Sequence, residues 1–246
     1  MGRMMNDDAS LILDYLPYSY KSPQEGEYII FLWDTFLANY EKQKYQFAFI
    51  AYHMLFMSFV YFSIWKIKIN KEKDFAKALI GFSKDQENTM LNASSPFSFS
   101  KIKESTVFRF LKLVRCNNAK IGEFSKIVKV RNDITHSNGN IFFDRQDTVD
   151  EKINEVLKSV EEIQGHTKEI IDNVFMLFLM DSWDAEVREF SDDADQIREI
   201  LIHQNYLSKK DVGDCLVYDI TPLEKNENIS RIRKMFRVFK KEYAEI

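Results

Sequence analysis

The residues with the clearest chemical use in this sequence are an arginine and a histidine, Arg131 and His136, with four residues between them. An arginine side chain binds phosphate oxygens through a planar fork that is always charged. A histidine titrates near neutral pH and can transfer a proton. Together they suit chemistry on a phosphodiester, so the stretch over 129–140 is the first candidate for a functional site.

The helix that carries these two residues must bring them together. Apolar residues repeat with helical periodicity over 119–135 and predict one buried stripe, made of Ile121, Phe124, Ile127, Val128 and Ile134. On a continuous helix, Arg131 and His136 point about 140° apart. They converge only if the helix ends between them or the arginine stem bends round. The turn residues Ser137, Asn138 and Gly139 predict such an end.

A second pair, Arg198 and His203, has the same spacing. It lies inside an amphipathic run that predicts a helix over 193–207, with no turn directly after the histidine. On a helix that continues, the two side chains diverge. We therefore interpret this second match as a coincidence of spacing.

Arg131 followed by Asn132, three residues and His136, in a chain of helical character, resembles the HEPN superfamily. Its ribonuclease members carry an arginine, four to six residues and a histidine, often with Asn after the arginine. The resemblance implies an all-α, up-and-down helical bundle and a metal-independent endoribonuclease that acts on RNA as a homodimer. It implies a role in a toxin–antitoxin pair, in antiviral phage defence or in RNA processing, with an antitoxin or defence-system protein as partner.

The resemblance also implies a role for each residue of the motif. His136 would be the general acid or base on the 2′-hydroxyl or the leaving 5′-oxygen, and Arg131 would stabilise charge on the phosphoryl oxygens. Asn132 would orient these groups, with Asp133 and Thr135 as auxiliary residues. The alternative is a HEPN-like module without catalysis that dimerises or binds nucleotide or RNA. In that case Arg131 would pair with an acid and His136 would cap the turn.

Charge is distributed unevenly along the chain, although the formal net charge is only −4. The segment 101–131 holds nine Lys and Arg against two Glu, a balance of +7, whereas 147–199 holds sixteen acids against five bases, a balance of −11. The basic segment leads into the motif, so Lys126 and Lys129 are candidate RNA-binding residues. The other interpretation is a solvated helix face neutralised by the acidic helix packed beside it.

The scarcity of helix breakers, 7 Gly and 4 Pro, predicts long helices and an all-α fold. We expect a helical bundle over 1–185 and a C-terminal accessory helical region over 186–246, with a strand or extended link at 216–220. Cys116 and Cys215 form no CxxC motif, and no charged-then-apolar signal sequence opens the chain. Both features favour a reducing, cytoplasmic location.

The segment 45–65 contains no formally charged residue. Its length permits a membrane span, but its polar residues and lysine-rich flanks favour a helix buried on all sides in the bundle, with no membrane. His53 within it is either a core histidine satisfied by a neighbour or an auxiliary polar group near the site. The sequence contains no glycine-rich phosphate loop and no metal-spaced Cys/His cluster, so we expect no metal and no cofactor.

Overall fold

The computed structural model of the chain describes residues 6–136 and 139–245. Over these residues the fold is all-α and consistent with a helical bundle, as the sequence predicts. Departing from helix, turn and loop in this part of the chain is an isolated antiparallel β-bridge between Pro17 and Ser208.

The first seven α-helices are α1 (Asn6–Ser10), α2 (Pro23–Glu41), α3 (Tyr45–Asn70), α4 (Glu72–Ala78), α5 (Lys84–Leu91), α6 (Glu104–Val107) and α7 (Asn118–Thr135). After them come α8 (Gln146–Asp181), α9 (Asp193–Gln196), α10 (Lys209–Leu216) and α11 (Ile229–Glu242). Short 3-10 helices occupy Leu11–Tyr15, Pro96–Lys101, Phe108–Val114 and Thr221–Leu223, and a π-helix occupies Ile197–His203.

The helix α3 is buried on nearly every side, because its sequence is apolar all round. Among the described residues it alone is long and apolar enough to cross a membrane, and 83% of its most apolar stretch is buried inside the protein. The helix α2 packs along it, with Phe36 against Tyr52. The predicted all-round buried helix is therefore observed, and it extends five residues beyond residue 65, to Asn70.

Three predicted elements differ from the structure. The helix expected over 74–91 is two helices, α4 and α5, because Gly81 between them has a φ of +92°, which interrupts a right-handed helix. The helix expected over 103–116 becomes a 3-10 helix from Phe108 onward. The strand or extended link expected at 216–220 contains no strand: α10 ends at Leu216, and a turn leads to Thr221–Leu223.

Contacts divide the chain into two compact units. The first contains residues up to Leu13 and Ser22–Thr167, and the second contains Asp14–Lys21 and everything from Lys168 onward. The division therefore falls inside α8, whereas the sequence-based division lies after residue 185. A continuous helix changes little in composition at Thr167, so the sequence offers no signal there. Each unit holds one buried free thiol, Cys116 in the first and Cys215 in the second.

Candidate functional site

The helix α7 begins and ends where the candidate motif requires. Asn117 caps its start, because the side-chain oxygen accepts a hydrogen bond of 3.0 Å from the backbone N–H of Lys120. Its buried residues include the whole predicted stripe, from Ile121 to Ile134. The helix ends at Thr135, and His136 is the C-terminal cap residue with an extended backbone, φ −78° and ψ 139°.

The predicted stop signal can be compared with the structure only in part. Ser137 and Asn138 lie outside the described residues, and Gly139 adopts a left-handed backbone with φ +76°. The backbone N–H of His136 still donates to the carbonyl oxygen of Asn132, at 3.2 Å. The helix thus ends between Arg131 and His136, which is the first of the two conditions for their convergence.

The guanidinium of Arg131 is directed at an acid of its own chain. Its Nη2 donates a short hydrogen bond to Oε2 of Glu104, the first residue of α6. The Arg131 side chain is 24% exposed, so solvent reaches part of the guanidinium. Its Nε is buried and has no hydrogen-bond partner among the described residues. Arg131 is thus anchored from the inside and partly open to the outside.

The same carboxylate oxygen of Glu104 also binds His53 of α3, which is fully buried. The distance from His53 Nε2 to Glu104 Oε2 is 3.1 Å, and because a carboxylate only accepts, Nε2 must carry the proton. Burial lowers the pKa of His53, and this outweighs the opposite effect of Glu104. His53 is therefore a neutral imidazole near pH 7, and its Nδ1 has no partner among the described residues.

Burial by itself would raise the pKa of Glu104, but the hydrogen bonds and charges of His53 and Arg131 hold that pKa below its ordinary value. Glu104 is therefore ionised at neutral pH and forms a charged pair with Arg131. We call His53, Glu104 and Arg131 the Glu104 cluster. It accounts for both interpretations of His53, since this histidine is satisfied in the core and also lies beside the candidate motif.

His136 is exposed, and its side chain makes no hydrogen bond or ion pair with any described residue. The structure thus joins Arg131 to Glu104 and not to His136. Within one chain the two motif residues present different surroundings: an arginine held by an acid, and a histidine open to solvent. Half of the alternative predicted from sequence is present here, because Arg131 does pair with an acid.

The auxiliary residues lie around the end of α7. Asn132 is half-buried, and its carbonyl oxygen also accepts a hydrogen bond of 3.1 Å from the Thr135 hydroxyl. Asp133 and Thr135 are exposed. Lys126 and Lys129 are exposed and form no ion pair within the described part of the chain. They are therefore available to an anionic partner.

The acidic helix α8 neutralises part of the basic segment. Lys120 lies 2.8 Å from a carboxylate oxygen of Glu162 on α8 and 3.0 Å from one of Glu123 on its own helix. These contacts fit the interpretation of a neutralised helix face at the start of α7. Towards the end of that helix, Lys126 and Lys129 fit the other interpretation, so the two apply to different turns.

Gln46, at the start of α3, ties the chain on either side of the motif, and sequence reasoning missed it. Its side-chain N–H donates to the carbonyl of Ile134 at 3.3 Å, and its side-chain oxygen accepts from the N–H of Phe142 at 3.0 Å. Glu104 was missed as well, although it is the direct partner of Arg131. Each lies far from the motif in sequence, and a single glutamine or glutamate has no spacing that would mark it.

The second arginine–histidine match lies elsewhere, in the second unit. Arg198 is exposed and pairs with Asp195 and Glu199. His203 Nδ1 lies 3.1 Å from the hydroxyl oxygen of Ser19. Both residues belong to one uninterrupted helical segment, Ile197–His203, as the sequence predicts, although its type is π rather than α.

No group of three or more His, Cys, Asp or Glu in the described residues is arranged to hold a metal ion. Comparison of the chain with protein-family models, with curated proteins and with solved structures found no match. The candidate site therefore has to be judged from its own geometry and chemistry.

Proposed function

We propose that this chain is a metal-independent endoribonuclease built around Arg131 and His136. The observation that carries the proposal is the end of α7, where an exposed histidine stands just past the helix and a partly exposed arginine lies within its last turns. A proton-transfer group and a phosphate-binding group at one helix end are the two parts that cleavage of RNA by its own 2′-hydroxyl requires.

In the proposed reaction, the 2′-oxygen bonds to phosphorus while the bond from phosphorus to the 5′-oxygen breaks. A base takes the proton of the 2′-hydroxyl, and an acid gives a proton to the departing 5′-oxygen. The products are a 2′,3′-cyclic phosphate and a 5′-hydroxyl. Arg131 would stabilise the charge on the phosphoryl oxygens, and Glu104 would act as a positioning residue by holding its Nη2.

One chain offers a single histidine at this site, whereas the reaction uses both a base and an acid. A homodimer with two-fold symmetry would bring a second His136 and a second Arg131 to the same phosphate. The segment after the motif supports such an interface, because Ile141 and Phe142 are exposed large apolar side chains, as is Phe47 on α3. Lys126 and Lys129 would add a salt-sensitive attraction for the RNA backbone.

The proposed biological setting follows from the reaction class. A non-specific or target-directed ribonuclease is harmful to its own cell unless it is restrained, which fits a toxin with an antitoxin or a phage-defence protein with a partner. RNA processing is the third setting.

The pairing of Arg131 with Glu104 favours a second candidate function, a non-catalytic dimerisation or RNA-binding module. An arginine whose charge is already balanced by an acid has less to offer a phosphate. In this case His136 would be a solvated cap residue, and substituting it would leave RNA binding unchanged.

The experiment that tests the proposal is incubation of the purified protein with total RNA in excess EDTA. We expect wild-type protein to produce fragments that end in 2′,3′-cyclic phosphate, His136→Ala to produce none, and the matched control His203→Ala to cleave like wild type. Binding of RNA without cleavage by any of the three would support the second candidate. Cleavage that stops with EDTA and returns with Mg²⁺ would contradict the proposed mechanism.

A further inference from the structure

A cleft of about 610 Å³ opens in the first unit, and the ribonuclease proposal does not use it. It lies between the start of α2, one face of α3 and the 3-10 helix Pro96–Lys101, with Glu104 of α6 at its edge. Its lining contains two carboxylates, two tyrosines and a phenylalanine, two methionines and several serines, and it contains no Lys, Arg or His among the described residues. A ligand that fits this lining would therefore not be an anion.

Three aromatic rings form perpendicular walls of this cleft. The ring of Phe97 lies 5.3 Å from that of Tyr28 at an interplanar angle of 90°, and 6.4 Å from that of Tyr61 at 77°. The face of an aromatic ring carries negative electrostatic potential, so rings set at right angles can surround a cation. Met54 and Met57 add polarisable apolar surface beside them. This arrangement suits a positively charged head with an apolar body.

Tyr61 gives an independent indication of a ligand. The residue is only 6% exposed and lines the cleft, yet its hydroxyl makes no hydrogen bond with any described residue. Burial raises the pKa of Tyr61, and the nearby carboxylate of Glu104 and the ring of Tyr28 raise it further, so the hydroxyl stays protonated. Buried polar groups are nearly always satisfied in proteins. A polar group of a bound molecule would satisfy this one.

The charges around the cleft leave a formal excess of one negative charge. Glu25 is buried and accepts a hydrogen bond of 2.6 Å from the hydroxyl of Ser95. Glu104 contributes the second carboxylate, and Arg131 behind it contributes one positive charge. His53 is neutral, for the reason given above. A single positive charge in the cleft would balance the group.

The cleft also presents hydrogen-bond acceptors rather than donors along its serines. The hydroxyl of Ser58 donates to the carbonyl of Met54 at 2.8 Å, and that of Ser100 donates to the carbonyl of Phe97 at 2.7 Å. The Ser95 proton is used for Glu25. With their protons committed, these oxygens have lone pairs left to accept from a ligand.

We propose that this cleft binds an organic ammonium ion, a singly charged amine with a small apolar body. The positive head lies among the rings of Tyr28, Tyr61 and Phe97, close enough to the two carboxylates to be neutralised by them. The apolar part contacts Met54 and Met57. This inference does not depend on ribonuclease activity, because none of these five residues takes part in the proposed cleavage.

The first test compares two probes of the same shape that differ in charge. Choline and its neutral isostere 3,3-dimethylbutan-1-ol are titrated into the full-length protein by isothermal titration calorimetry. We expect choline to bind at least about tenfold more tightly, because the rings and carboxylates act on the charge. Equal affinity for the two probes, or no binding of choline, would overturn the proposal.

The second test removes one wall of the cleft at a time. Tyr28→Leu and Phe97→Leu each keep an apolar side chain but lose a ring, and we expect choline affinity to fall at least about tenfold in each. Phe82→Leu is the matched control, since Phe82 is a half-buried phenylalanine of the same unit outside the cleft. It should bind choline like wild type. Tyr28 is half-buried, so its variant remains informative if Phe97→Leu does not fold. Unchanged affinity in Tyr28→Leu would refute the aromatic site.

Discussion

Residue by residue, the candidate site is an arginine whose inner edge is held by Glu104 and whose outer part is open to solvent. This division predicts which property of Arg131 matters. Arg131→Lys keeps the positive charge but loses the planar fork. We expect the rate of RNA cleavage to fall about 10²–10³-fold, the usual effect of removing one donor that stabilises a transition state.

RNA binding by Arg131→Lys, measured by fluorescence anisotropy, should change little at constant salt. Arg109→Lys is the matched control, because Arg109 is an exposed arginine of the same basic segment that stacks on Phe82. If Arg131→Lys cleaves RNA within twofold of wild type, Arg131 is not the phosphate-stabilising group.

Glu104 carries a separate prediction, since it would act on RNA only through Arg131. Glu104→Gln keeps the shape of the side chain and loses the charge that fixes the guanidinium. We expect kcat for a short RNA substrate to fall while KM stays near the wild-type value, because binding does not need the arginine to be fixed. A rise in KM with unchanged kcat would contradict a positioning role.

The neutral, buried His53 predicts how stability depends on pH. Burial lowers its pKa in the folded protein, so the unfolded chain takes up the proton first as the pH falls below the ordinary value of 6.5. The free energy of unfolding should therefore decrease as the pH falls through that range. The lowered pKa of Glu104 acts in the same direction below its ordinary value of 4.5.

Urea unfolding at a series of pH values measures this effect. In His53→Gln, the free energy of unfolding should change less steeply with pH just below 6.5, whatever the variant's absolute stability. His166→Gln, on α8, is the control and should keep the wild-type slope. An unchanged slope in His53→Gln would show that another group takes up the proton.

At the scale of elements, two helices begin with the same capping box in different surroundings. At the start of α10, the Ser208 hydroxyl accepts from the N–H of Asp211 at 3.1 Å, and the Asp211 carboxylate accepts from the N–H of Ser208 at 2.8 Å. Both residues are fully buried. The corresponding box at the start of α5, Ser83 with Gln86, is largely exposed.

Ser208→Ala should therefore lower the free energy of unfolding more than Ser83→Ala does. Loss of a capping serine costs about 1 kcal/mol, and about 2 kcal/mol in unfavourable cases. We expect the upper value at Ser208, where the buried Asp211 also loses the hydroxyl that donates to it at 2.9 Å. Denaturant unfolding of both variants provides the comparison. Equal losses would show that burial of the box adds nothing.

The same elements show what the sequence could and could not predict. The start of α7, its buried stripe and its end before His136 follow from local patterns, and all were predicted. The capping box at Ser208 was also legible in the sequence and would have revealed α10. The Glu104 cluster was not predictable, because it joins α3, α6 and α7 through residues that no local rule connects. Its members meet only once tertiary packing is known.

For the whole molecule, the prediction concerns a site shared between two copies. Each of the variants His136→Ala and Arg131→Ala should be inactive alone. If the site takes its arginine from one chain and its histidine from the other, mixing the two variants creates heterodimers with one intact site. We expect RNA cleavage to reappear on mixing and to increase with the heterodimer fraction. A fully active monomer at the assay concentration would refute the shared site.

The placement of the two cysteines has a consequence for following the motions of this chain. Cys116 lies in the first unit and Cys215 in the second, and burial raises the pKa of both thiols. A buried, protonated thiol reacts with an alkylating reagent only when its surroundings open. The chain therefore carries one natural clock in each unit. Two labelling rates, read by mass spectrometry from a single sample, would time the opening of each unit separately without any added probe.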